Sequence, residues 1–123
     1  MKPAILTAAA LVALAIAAQA RADGDPVAGK TKFAICGICH TIDPAKKGIG
    51  PTLFGVVGRH SASVEGFAYS DAMKAADKTW DAATLDTYLT NPKAFVPGTK
   101  MIFPGFPKAE DRANVIAYLS TLK

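Results

Sequence analysis

The sequence predicts a small all-α domain with unusually long loops. Apolar residues recur at helical spacing behind good N-cap residues, and no convincing run of alternating strand residues occurs anywhere. The segments between the expected helices are rich in Gly and Pro, and loops of ~15 residues are uncommon in so small a domain unless something is packed inside them. With 123 residues the chain has room for one domain at most.

Met1, Lys2 and Pro3 make a short basic start, and Ala4 to Ala18 hold a single polar side chain, Thr7. Ala18-Gln19-Ala20 and Ala20-Arg21-Ala22 follow, both small-x-small. This is the layout of a secretory signal peptide over residues 1–22, cleaved after Ala22 or Ala20. The apolar core falls short of the ~20 residues that span a bilayer comfortably, which argues against a retained anchor. The mature domain is then 23–123, exported, with a bacterial periplasm as the expected address. Lys2 and Arg21 leave with the leader, so half of the formal +4 charge is the leader's own. The balance that remains is too even for a nucleic-acid arm and too apolar for a disordered tail.

In the mature chain, Asp25-Pro26 reads as N-cap and first helical position of a helix running to about Cys36. Val27, Phe33 and a notch at Gly29 are available to one side of it. Residues 41–69 have no sustained period and read as loops. Ser70 caps a short helix through Ala76. Asp81 caps another that carries Leu85, Tyr88 and Leu89 and is closed by Pro92. Four prolines and two glycines between Pro92 and Pro107 oppose regular structure over most of that stretch. A last helix starts near Lys108, with Val115, Ile116, Leu119 and Leu122 on its apolar face.

Cys36-Gly37-Ile38-Cys39-His40 decides the chemistry. Cys-x-x-Cys-His in an exported chain is the attachment motif of c-type haem. Each thiol adds to one vinyl group, and three residues of near-helical chain bring the sulfurs to the two vinyls. His40 is then carried under the iron as an axial nitrogen. A disulfide between Cys36 and Cys39 would close a tight loop and staple nothing distant. A redox-active dithiol needs the strand–helix alternation that this chain lacks. A zinc site needs about four ligands, and only His60 remains beyond the motif. For the other face of the iron the residues leave Met73, Met101, His60 and lysines as candidates. Met101 stands in a proline-stiffened loop, which holds a sulfur at small entropy cost.

Taken together, the chain resembles the class I cytochromes c, the small bacterial kind closest to mitochondrial cytochrome c. The resemblance covers nearly all of residues 24–123. It rests on Gly29 and Phe33 with Tyr118, on Cys36, Cys39 and His40, on Gly50-Pro51, and on Pro97-Gly98-Thr99-Lys100-Met101. It implies the cytochrome c fold, a few helices and long loops wrapped around one covalently attached haem c. It implies that the Pro51 carbonyl accepts the His40 ring N–H, and that Arg59, Tyr69 and Trp80 surround the inner haem propionate. Ser70 lies near the outer propionate, Thr99 borders a propionate, and Tyr88 is a buried phenol near the sixth ligand. The resemblance makes His40 and Met101 the two iron ligands. Two departures stand out: Ile35 precedes the first Cys where many relatives carry lysine, and Met73 occupies a position held by a buried Asn in mitochondrial relatives.

The expected function is that of a soluble, monomeric one-electron carrier and not an enzyme. Its expected partners are transient: a quinol-oxidising cytochrome complex, a terminal oxidase, a photosynthetic reaction centre or a dehydrogenase. No nucleic acid and no membrane span after cleavage are expected. A wrap of Leu53, Phe67, Trp80, Tyr88, Leu89, Ile102 and Phe103 would keep the haem in low dielectric. Lys93, Lys100 and Lys108, with Lys32, Lys46 and Lys47, would form a basic rim whose docking weakens with salt. Ile35 would put an apolar residue at the centre of the contact. The competing reading is a haem enzyme or gas-binding cytochrome with an openable sixth site, which would need a distal His or Arg.

Overall fold

The computed structural model describes residues 24–123; the leader expected over residues 1–22 lies outside the described residues. Among the described residues, five α-helices follow one another: α1 (Pro26–Phe33), α2 (Asp71–Ala76), α3 (Ala82–Thr90), α4 (Pro92–Phe95) and α5 (Ala109–Leu119). A 3₁₀ turn, Cys36–Ile38, follows α1 closely. Among the described residues there is no strand, only an isolated antiparallel bridge between His60 and Thr79. No helix among them is long and apolar enough to cross a membrane.

Short polar side chains start four of the helices, by satisfying backbone N–H groups that have no partner within the helix. Asp25 accepts from the Val27 N–H, Ser70 from Met73, Asp81 from Thr84 and Asn91 from Ala94. The last of these corrects the expectation for Pro92. Pro92 does close α3, but it is also the first residue of α4, where its missing N–H costs nothing. The first helix is shorter than expected as well. It ends at Phe33, and the chain tightens into the 3₁₀ turn at Cys36.

The main helix contact is α1 against α5. Gly29 permits it: a Cβ there would overlap the Asn114 carbonyl and stand 3.0 Å from Tyr118 Cβ. Phe33 then packs on Tyr118, ring centroids 5.1 Å apart at 59°. Such a pair is worth about 0.5–1.5 kcal/mol beyond its buried area, and the Lys32–Asp111 ion pair at 3.4 Å crosses the same two helices. Val27 does not join this seam and is 77% exposed. Val115, Ile116, Tyr118 and Leu119 of α5 are buried in one core cluster with Leu85, Tyr88 and Leu89 of α3, on which α5 also packs. Arg112 ties the two helices, donating to Asp86 at 2.8 Å and to the Phe106 and Pro107 carbonyls at 2.8 and 3.2 Å.

Replacing Gly29 by Ala should lower the unfolding free energy of the holoprotein by about 1–3 kcal/mol in guanidinium titration, because backbone must move to admit the methyl group. Asp81→Ala should lower the melting temperature at neutral pH. The Thr84 backbone N–H and hydroxyl hold the Asp81 carboxyl below its ordinary 3.8. Its contribution is therefore whole above that value and lost as pH falls through the lowered folded value. The gap between wild type and Asp81→Ala should close over that acid range in a pH series of melts.

Candidate functional site

The 3₁₀ turn presents the first functional side chains. Residues three apart eclipse in such a turn, so Cys36 and Cys39 stand on one line. The Cys39 and His40 N–H groups both donate back to the Cys36 carbonyl, at 3.1 and 2.9 Å, which coils the motif tightly. The two cysteines are not disulfide-bonded. Burial holds the Cys36 thiol above its ordinary range, against a backbone hydrogen bond and with a smaller push from Cys39.

His40 is held on two sides. Its Nδ1 lies 2.7 Å from the Pro51 carbonyl. A carbonyl only accepts, so Nδ1 carries the proton and Nε2 keeps its lone pair. Gly50 closes the other side: a Cβ there would stand 2.5 Å from the ring's Cε1 and 2.7 Å from Nδ1. The Gly50 N–H donates to the Cys39 carbonyl at 2.8 Å, so the clamp and the motif move as one piece. Burial lowers the His40 pKa, the Pro51 hydrogen bond opposes, and the Arg59 charge lowers it further. The ring is neutral at neutral pH, as a metal-binding imidazole must be.

Arg59 gives two of its donors to backbone: Nη1 to the Phe54 carbonyl at 3.1 Å and Nη2 to Thr52 at 3.0 Å. Its Nε is buried with no protein partner. Three hydroxyls share one habit: Tyr69 accepts the Val64 N–H, Ser70 that of Met73 and Thr99 that of Met101. Each oxygen is used as an acceptor, which leaves its proton to give. Trp80 is buried, with its backbone paired to Arg59 and Gly58 at 2.9 Å. Its ring lies 4.8 Å from that of Tyr88. Tyr88 in turn donates to Met101 Sδ at 3.7 Å. Burial pushes the Tyr88 phenol above its ordinary range, with Thr99 opposing.

The other sulfur and imidazole are differently placed. Met73 is partly buried against the core, on α2. His60 faces Asp77, with Nε2 2.8 Å from Oδ1 and Nδ1 2.9 Å from the Ser61 carbonyl. Two expectations need correction. Ile102 is 97% exposed and belongs to no wrap, because the chain turns its side chain out between inward-facing Met101 and Phe103. Lys32 is paired with Asp111 at 3.4 Å and is tied into the α1–α5 seam. Sequence reasoning missed Phe95, whose ring joins those of Trp80 and Tyr88 at 6.3 and 5.8 Å. Asn91-Pro92, a cap followed by a first-turn proline, was the signal for the helix that carries it.

The family model for cytochrome c matches residues 26–123. The chain belongs to the cytochrome c family. This cytochrome is 56% identical over 110 residues to cytochrome c2 of Rhodomicrobium vannielii, covering 89% of this chain and 88% of that one. It is 54% identical over 101 residues to cytochrome c2 of Rhodoblastus acidophilus, covering 81% and 94%. Among solved structures it is similar to cytochrome cH from Methylobacterium extorquens, with a TM-score of 0.75 and 47% identity over 80% of this chain and 99% of that one. It is a class I c-type cytochrome of electron transport, with one haem c bound through Cys36 and Cys39. The residues fit that group. The buried Arg59 Nε and the spare hydroxyl protons suit carboxylates, and the coiled Cys-x-x-Cys turn presents both sulfurs on one line.

Arg59→Lys keeps a charge but loses the fork that reaches two carbonyls. It should cost roughly 1.5–3 kcal/mol of holoprotein stability, measured by guanidinium unfolding.

Proposed function

We propose that this cytochrome is a periplasmic one-electron shuttle whose haem iron is ligated by His40 and Met101, and that it is not an enzyme. The leader over residues 1–22 would deliver it there and be removed. Bound haem supplies the one-electron couple, and a thioether ligand favours the ferrous state and raises the potential.

The observation that carries the ligand assignment is a pair of supporting hydrogen bonds. The Pro51 carbonyl accepts from His40 Nδ1, and the Tyr88 hydroxyl donates to Met101 Sδ. The first orients a neutral imidazole and sets its tautomer, as supporting groups do for ligating histidines. The second, with the Thr99 hydroxyl accepting the Met101 N–H at 3.2 Å, holds the sulfur in one place. Two ligands held this way need not move when the charge changes, so little rearrangement opposes electron transfer. Arg59 and the hydroxyls of Tyr69, Ser70 and Thr99, together with Trp80, would hold the propionates. Buried Trp80, Tyr88 and Leu89 exclude water and penalise the extra charge of ferric iron. His60 has both ring nitrogens engaged, by Asp77 and by the Ser61 carbonyl, and so does not offer the free distal base that gas or peroxide chemistry needs.

The oxidised holoprotein should show the weak far-red sulfur-to-iron band, absent in Met101→Ala and retained in Met73→Leu. The reduced protein should bind little carbon monoxide. A high-spin resting spectrum or rapid carbon monoxide binding would overturn the reading.

A further inference from the structure

The loop that carries Met101 leaves α4 at Phe95 and re-enters helix at Ala109. Its outgoing half is tied closely. The Thr99 N–H donates to the Val96 carbonyl at 3.0 Å, and the Met101 N–H to the Thr99 hydroxyl at 3.2 Å. Its return is bare. Among the described residues, the backbone of residues 102–105 makes no hydrogen bond, and the exposed Ile102 side chain adds no hold there. The next tie is Phe106, whose N–H donates to the Leu89 carbonyl of α3 at 2.7 Å. Gly105 fits against the Thr90 carbonyl beside it, where a Cβ would overlap. Arg112 closes this junction from α5. One nitrogen, Nη1, donates to the consecutive carbonyls of Phe106 and Pro107 at 2.8 and 3.2 Å, while Nε donates to Asp86 at 2.8 Å. The arginine side chain is 12% exposed, so water competes little for those donors, and hydrogen bonds from a charged donor are the strong ones. Holding α3 to α5 needs only the Asp86 contact; the two carbonyl bonds hold the loop.

We propose that Arg112 is a positioning residue for Met101: it clips the return of the loop to α3 and α5 and so keeps competing ligands off the haem iron. The proposal rests on ligation of the iron by His40 and Met101. Phe106 and Pro107 are the first fixed points after the sulfur, and only residues 102–105 separate them from it. A tether that short limits how far Met101 can swing while its far end is fixed. Without the clip, Phe106 is left with its single backbone bond to Leu89. When that bond breaks, the stretch free to move extends through Pro107, and each residue released adds conformational entropy to the open loop. Opening becomes more frequent without any helix unfolding. The closed loop stays the resting state, and the change is in how often the sixth position is exposed.

The test is stopped-flow mixing of the ferric holoprotein with imidazole, whose neutral nitrogen bonds the iron as the iron–sulfur bond breaks, with no change of oxidation state. At saturating imidazole the observed rate is that of loop opening. Arg112→Met should raise it about tenfold, through loss of the hydrogen bonds made by one charged group. Arg112→Lys, the milder change should the first not fold, should raise it about threefold, because one ammonium cannot match a fork that spans a carboxylate and two carbonyls. Asp25→Ala removes the α1 cap and lowers stability elsewhere, and it should leave the rate unchanged. Hydrogen exchange of the Phe106 amide should quicken in the Arg112 variants and not in Asp25→Ala. The proposal is overturned if the folded Arg112 variants bind imidazole at the wild-type rate, or if Asp25→Ala speeds binding as much as they do. The far-red sulfur-to-iron band of the oxidised wild type reports separately on the ligand: its absence defeats the Met101 assignment, whereas its presence with unchanged imidazole rates defeats the role of Arg112 alone.

Discussion

The approach of α1 to α5 is the constraint on which the rest of the structure depends. At Gly29 backbone meets backbone, and no side chain stands between the two helices. That contact fixes where α1 ends, and the haem-attachment turn begins three residues later. The same α5 that receives α1 also packs on α3, which carries Tyr88. One helix therefore sets the position of the cysteine turn on one side and of the phenol beside Met101 on the other. A shift of α5 would be felt at both ends of the site.

The site itself is built from polar groups that do two jobs. The hydroxyls of Tyr69, Ser70 and Thr99 each accept a backbone N–H and keep a proton to donate. Arg59 spends two donors on the carbonyls of Thr52 and Phe54. These groups are oriented before any anion reaches them, so little entropy is lost in binding it. The same economy applies to His40, which is aimed by Pro51 and walled by Gly50. The pattern suits a protein whose task is to hold a charge-changing group still.

Most of the helices were legible in the sequence because capping is local chemistry. Asp25, Ser70 and Asp81 each bond an N–H two or three residues on, and nothing distant is needed to predict it. The Cys36–His40 motif was legible for the same reason: its spacing alone carries the geometry. Side-chain direction was less readable. Val27 and Ile102 are as apolar as their neighbours but face outward, and only the path of the surrounding chain decides that. The helix at Pro92 is harder to read, because a proline after a helix can either end regular structure or open the first turn of the next helix, and here the Asn91 cap makes it do the second.

By itself, the sequence determined the helical class, the caps, the haem-attachment turn and the short list of axial candidates, since each depends on residues close together in the chain. Tertiary structure decided which of those candidates have support. Met101 lies beside the Tyr88 hydroxyl, and His60 is drawn to Asp77. It also decided that the loop at Gly50 closes on the Cys-x-x-Cys turn, through a backbone hydrogen bond from the Gly50 N–H to the Cys39 carbonyl at 2.8 Å. Local bonding is written in short-range spacing. Neighbours across a fold arise only when distant segments pack, and no single stretch of sequence specifies that.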